Sequence, residues 1–256
     1  MPSSCSELYG WLYNGSRVTT YCIWIGGTST SWNTNGNWIK STGSGYPTAS
    51  KPSSTYNVFI PSGSSNQPAI AAATVASALD LTINSGATLT NNATNASAGY
   101  LDIYGNFTNN GTHNHVGDAY VYMKGTTKIL GGTGTFTTTE IDLFLGSSTT
   151  LSSNLTLLTL LLGNSAATTL NLSYYYITIS GDFWQEGTIN FNTGTMEVQG
   201  LVVNGVAAWW NCNTGLFYEN LGFSGTWMTG YTFYDLKINC PGFTYSLQVQ
   251  LMLQEI

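Results

Sequence analysis

The 256 residues include six Lys plus Arg, twelve Asp plus Glu and two His, so 7% of the chain is charged and the formal net charge is −6. An ordinary soluble domain carries about 25% charged residues. This balance excludes the basic footprint that nucleic-acid binding needs, and eight Trp, sixteen Tyr and ten Phe exclude a disordered acidic tail. No run of about twenty apolar residues occurs, so no transmembrane segment is expected.

Ser, Thr, Asn and Gly supply the polarity that charged groups do not. These are poor helix formers, whereas Thr, Tyr, Trp, Val and Ile suit a pleated strand and Asn and Gly suit turns. The expected fold is all-β. A surface of hydroxyls and amides with few charges also suits an extracellular protein.

The chain opens Met1-Pro2-Ser3-Ser4-Cys5, with no basic segment followed by an apolar core. We therefore expect a mature or partial form. Residues 1–56 form an aromatic-rich N-terminal region with Trp11, Trp24, Trp32 and Trp38 and the single Arg, Arg17. Cys5 and Cys22 lie near one end, Cys212 and Cys240 near the other. Four cysteines allow three pairings. The simplest is local, Cys5 with Cys22 and Cys212 with Cys240, and the spacings lack the C-x-x-C pattern of zinc or redox sites.

From residue 57 to 256 a repeating texture takes over, in which a short apolar–polar alternation ends at a glycine and then resumes. Leu79–Ile83 precedes Gly86, Leu101–Tyr104 precedes Gly105, and Tyr120–Met123 precedes Gly125. Ile141–Leu145, Leu158–Leu162, Ile177–Ile179 and Leu201–Val203 likewise precede Gly146, Gly163, Gly181 and Gly205. The seven glycines are 19, 20, 21, 17, 18 and 24 residues apart. A strand-and-turn unit of about twenty residues predicts a parallel β-solenoid (β-helix) whose coils bury their apolar residues against one another. Asn-rich corners are expected to stack into amide ladders. The alternative is an antiparallel β-sandwich or jelly roll, in which two turns also span about twenty residues.

Several segments resemble large secreted surface proteins of Bacteroidota. They are Trp32-Asn33-Thr34-Asn35-Gly36-Asn37-Trp38, Asn57–Gly63, Leu81–Thr90, Gly105–Thr112 and Thr232–Asn239. The resemblance covers most of residues 32–112 and 178–239. It implies repetitive β-helical regions and export by type IX secretion, although the C-terminal sorting domain of such proteins has no match in this sequence.

Candidate chemistry is sparse. Polysaccharide-cleaving solenoids need clustered carboxylates or a cationic base, yet the repeat region holds only Lys124, Lys128 and Lys237 as cations and its acids are scattered. Glu140 with Asp142, two apart on a strand, is the best pair; Asp182 and Glu186 straddle a turn, and both pairs read as solvated strand edge. His113-Asn114-His115 with Asp118 is the sharpest metal-like cluster, but the adjacent Asn109-Asn110-Gly111-Thr112 reads as an exposed loop. We therefore assign no metal, no cofactor and no catalytic residue. The aromatics Tyr174-Tyr175-Tyr176, Trp184, Trp209, Trp210, Tyr218 and Trp227 offer stacking platforms, with Trp209 and Trp210 the candidates for sugar binding.

Near the other end, Leu247, Val249, Leu251 and Leu253 alternate with polar or unbranched residues and show no polar cap. Such a strand can add to a neighbour's sheet, with the aromatic N-terminal region as its acceptor. The sequence is thus read as a non-enzymatic extracellular structural protein, a homo-oligomer assembled head to tail into a cell-surface filament or array. The alternative is a cell-surface adhesin or carbohydrate-binding module with glycan partners.

Overall fold

A computed structural model describes residues 20–41, 48–92, 99–117, 119–137, 139–143, 146–163, 167–200, 202–204, 209–211, 215–219 and 235–238. It is a parallel β-solenoid with almost no helix, so the antiparallel alternative is set aside. One coil shows the rule. Leu81–Ile83 lies on the first face, Thr88–Asn92 on the second and Val75–Ala78 on the third, where Tyr100–Ile103 returns to stack on Val75–Ala78. The first face is a ten-stranded sheet. The second is divided into blocks of four and five strands, and the third has seven.

The register carries the sequence alternation into space. On the third face Ala76, Leu101, Val121, Ile141, Leu160, Phe183 and Val202 are successive partners and all point inward. On the first face Val58, Leu81, Phe107, Leu130 and Leu151 form a similar stack. On the second face Leu155, Ile177, Met196 and Phe217 continue the pattern. Each inward side chain therefore packs on its equivalents one coil above and below, about 4.8 Å away, and nearly all of its apolar surface leaves water.

The repeating glycines have two physical origins. Gly86 and Gly146 have φ of +80° and +73°, conformations that a side chain strains. Gly125 instead sits against the preceding coil, where a Cβ would lie 1.7 Å from the Tyr104 carbonyl oxygen. The predicted strand at Leu79 starts later than the alternation suggests, because Leu79 and Asp80 form the corner before Leu81–Ile83. Stacked amides lie in strands rather than at the expected corners: Asn190 Nδ2 donates to Asn171 Oδ1 at 2.6 Å, and Asn171 Nδ2 donates to Ser148 Oγ at 3.2 Å.

The N-terminal end is closed by an antiparallel hairpin, Tyr21–Trp24 with Trp38–Ser41, whose first strand pairs in parallel with Asn57–Ile60. The sheet therefore runs across the change of texture at residue 57. Trp24, Trp32 and Trp38 are buried, with ring centroids 4.9 and 4.7 Å apart in edge-on pairs. The Trp38 indole donates to the Trp32 carbonyl and the Trp24 indole to the Asn66 carbonyl, each at 2.7 Å. Beside them Asn37 is fully buried and satisfied: its Oδ1 accepts from Thr28 and Ser29, and its Nδ2 donates to Ser29 Oγ and the Ser31 carbonyl. These three tryptophans plug the core at this hairpin, while Trp11 lies outside the described residues.

Cys22 is a correction to the expected disulfide framework: it is a free, buried thiol whose Sγ lies 3.8 Å from the Ser50 carbonyl. Burial pushes its pKa up to about 12, with Lys40 opposing. Cys5, Cys212 and Cys240 fall outside the described residues, as do Leu247, Val249, Leu251 and Leu253 of the expected assembly strand.

If the tryptophan plug closes the core as described, Trp38→Ala opens a cavity and lowers unfolding free energy by about 3–5 kcal/mol. Urea unfolding followed by far-UV circular dichroism measures this. An unchanged midpoint contradicts the plug.

Candidate functional site

The outward side of the third face carries the densest chemistry among the described residues. Because coils here repeat every twenty residues, Asp102, Tyr122 and Asp142 fall into one row, flanked by Ser77 before and Leu161 and Trp184 after. A parallel row begins Val75, Tyr100, Tyr120, and Glu140 follows on the next strand. Strand alternation turns all of these away from the core, whose wall is formed by the residues between them.

The tyrosines pack on one another: Tyr100 and Tyr120 are 6.2 Å apart between ring centroids, Tyr120 and Tyr122 6.0 Å, and Tyr100 and Tyr122 5.6 Å. Lys124 closes the row's corner, its Nζ 2.7 Å from Asp102 Oδ2 and 5.3 Å from the Tyr122 ring centroid. Burial raises the Asp142 pKa to about 6; Lys124 lowers it and Glu186 raises it further. Burial, then Asp142 and the neighbouring tyrosines, raises Tyr122 to about 12. Trp184, 44% exposed, stands two strands beyond Asp142 in the same row.

Two expectations change here. Glu140 and Asp142 are not solvated edge groups, since Glu140–Leu143 is paired on both sides, with Tyr120–Met123 and Thr159–Leu162. Asp182 and Glu186 flank the strand Phe183–Gln185 rather than a turn. The raised Asp142 proton affinity follows from that central position, where water reaches the carboxylate poorly.

His113 and His115 are a further correction. The expected exposed loop is the strand Thr112–Val116 on the second face, and both imidazoles point into the core. Their ring centroids are 4.9 Å apart, and His113 packs edge-on against Phe107 at 5.5 Å. His113 Nδ1 is 3.1 Å from Thr139 Oγ1, and His115 Nδ1 accepts the Glu140 backbone N–H at 3.1 Å. Burial lowers His115 to about 4, and burial together with the neighbouring His115 lowers His113 well below the ordinary imidazole range. Among the described residues no group of three His, Cys, Asp or Glu is placed to hold a metal ion. Asp118 lies outside them.

The other aromatics are dispersed. Trp209–Asn211 is a strand of the first face, paired with Thr188–Asn190, so Trp209 and Trp210 lie on a different face from Trp184. Tyr176 meets Glu197 through its hydroxyl on the second face, where Lys237 lies 4.4 Å over the Tyr218 ring. Tyr174 and Tyr175 pack together at the preceding corner. Trp227 falls outside the described residues.

Sequence reasoning missed the Tyr100, Tyr120, Tyr122 and Lys124 cluster. Its signal was the twenty-residue offset joining 100, 120 and 140, and 102, 122 and 142. It also missed Lys128, which is buried and donates to the carbonyls of Met123 and Gly125 at 2.6 Å each. Burial lowers its pKa to about 8.

No protein-family model, curated protein or solved structure matches this chain.

Two pH effects of opposite sign follow. The fold holds both histidines neutral, so stability is complete above their unfolded value near 6.5 and is lost as pH falls toward 4. Each contributes a slope of up to about 1.4 kcal/mol per pH unit in that range. Acid unfolding of His113→Phe should show a shallower limb there; an identical limb contradicts the buried neutral pair. Asp142 is raised, so its contribution is complete below its unfolded pKa of 3.8 and is lost as pH rises through about 6. Asp142→Asn should therefore stabilise at neutral pH by about 1 kcal/mol after allowing for partial exposure, roughly 2–4 °C in Tm, with little change near pH 3. Thermal melts at the two pH values decide this.

Proposed function

We propose that the protein is a non-enzymatic structural protein of an extracellular surface, a stiff rod that joins further copies end to end. The observation that supports this best is the continuous in-register stacking. The first face alone carries ten strands, spanning roughly 43 Å at the usual strand spacing. Stability in such a fold is distributed over neighbouring coils, which suits a spacer or filament subunit. The low charge of the chain also limits repulsion between copies. Export by type IX secretion accompanies this reading, through the resemblance to Bacteroidota surface proteins.

The N-terminal hairpin limits where copies meet. The outer edge of Trp38–Ser41 is engaged by an antiparallel bridge, Lys40 with Thr48. On the third face the first strand is Val75–Ala78, which among the described residues pairs only with Tyr100–Ile103, and Val75 is 54% exposed. In this reading the strand of Leu247, Val249, Leu251 and Leu253 adds to that edge of another copy. The row of Tyr100, Tyr120, Tyr122 and Trp184 favours a second reading, a cell-surface adhesin or carbohydrate-binding module.

Negative-stain microscopy and analytical ultracentrifugation of the full chain test assembly. End-to-end rods that shorten or disperse in Val75→Lys, or on deletion of residues 244–256, support strand addition. A chain that stays a single short rod at every concentration overturns it.

A further inference from the structure

The third face carries more negative charge than its own residues neutralise. Lys124 is paired with Asp102 and acts on Asp142, Glu186 lies near Asp142, and Glu140 precedes Asp142 by two residues on the same strand. The elements packed around Asp142 supply Asp102 and Tyr100 from one strand, Tyr120, Tyr122 and Lys124 from the next, and Glu186 after Phe183–Gln185; Thr159–Leu162 brings no titratable group. Lys124 also shows what the surface accepts. Its ammonium is seated between a carboxylate and a tyrosine ring, the pairing by which proteins recognise ammonium groups. Asp102 is only 7% exposed, and its second oxygen, Oδ1, has no hydrogen-bond partner.

From these features we propose that the outward row Asp102–Tyr122–Asp142–Leu161–Trp184 is a binding site for a glycan of amino sugars bearing free, protonated amines. The inference rests on the carbohydrate-binding reading and assigns its ligand class. Successive residues of the row are one strand spacing apart, about 4.8 Å. A linear polymer lying along the solenoid axis thus meets one residue per coil. Its ammonium groups lie against Asp142 and Glu186, and a sugar face stacks on the exposed Trp184 indole. Polyuronates and other anionic polymers are repelled by the same carboxylates.

Calorimetric titration of the full chain at a pH just above 6 compares three tetrasaccharides: β-1,4-linked glucosamine, its fully N-acetylated counterpart and a galacturonate. The glucosamine tetramer should bind at least about tenfold more tightly than the other two, as expected for charge-assisted contacts, and added salt should weaken it. Asp142→Asn, confirmed folded by its thermal melt, should lose that tenfold preference, and Trp184→Ala should weaken binding of the same tetramer. Equal binding of the acetylated and free-amine tetramers, or no effect of Asp142→Asn, overturns the ligand class while leaving carbohydrate binding in place. No binding of any tetramer overturns both.

Discussion

Stacking of one coil directly on the next, at a single strand spacing, governs this molecule. Backbone hydrogen bonds between coils fix that spacing, and each inward side chain must then share its volume with equivalents above and below. Ala76, Leu101, Val121, Ile141, Leu160 and Phe183 form such a column. Corners obey the same limit. At Gly125 the backbone runs so close to Tyr104 that a side chain has no room, and Lys128 draws the carbonyls of Met123 and Gly125 together from inside the coil.

A column of this kind has ends, and the N-terminal one is closed by changing strand direction. The hairpin of Tyr21–Trp24 and Trp38–Ser41 and the segment between its strands lay three indoles across the core, and the N–H groups of Trp24 and Trp38 bond to backbone carbonyls. Polar groups deeper inside meet their need for hydrogen-bond partners only in part, since His113 Nε2, Ser147 Oγ and Gln185 Oε1 are buried without one. Asn37 satisfies itself locally, whereas His113 and His115 rely on Thr139 and the Glu140 backbone in the next coil. The core is consequently most sensitive to acid at the histidines, where a proton adds a charge that the surrounding apolar walls cannot solvate.

The same stacking that orders the interior also concentrates chemistry outside. A coil length of twenty residues repeated twice brings Asp102, Tyr122 and Asp142 into line, and Tyr100 and Tyr120 beside them. In an irregular fold these positions would be strangers. Burial on this face raises Asp142, while Lys124, paired with Asp102, opposes that rise. Rod-like shape and lateral binding are compatible roles, because one uses the ends of the solenoid and the other uses a face.

The amino-acid sequence by itself determined the all-β class, the twenty-residue coil and the alternation that sends Val121 inward and Tyr122 outward, because each depends on local backbone preference and near-neighbour spacing. The stacking of asparagines was legible for the same reason, but its place in the strands at Asn171 and Asn190 was not. Tertiary structure alone decided which corners fall within a run such as Leu79–Ile83, why His113 and His115 lie in a strand instead of a loop, and that Cys22 is a buried thiol. It also decided that Trp209 and Trp184 belong to different faces. Those outcomes depend on the exact number of residues in each coil, which shifts a side chain from one face to another. That count emerges only when whole coils are fitted onto their neighbours.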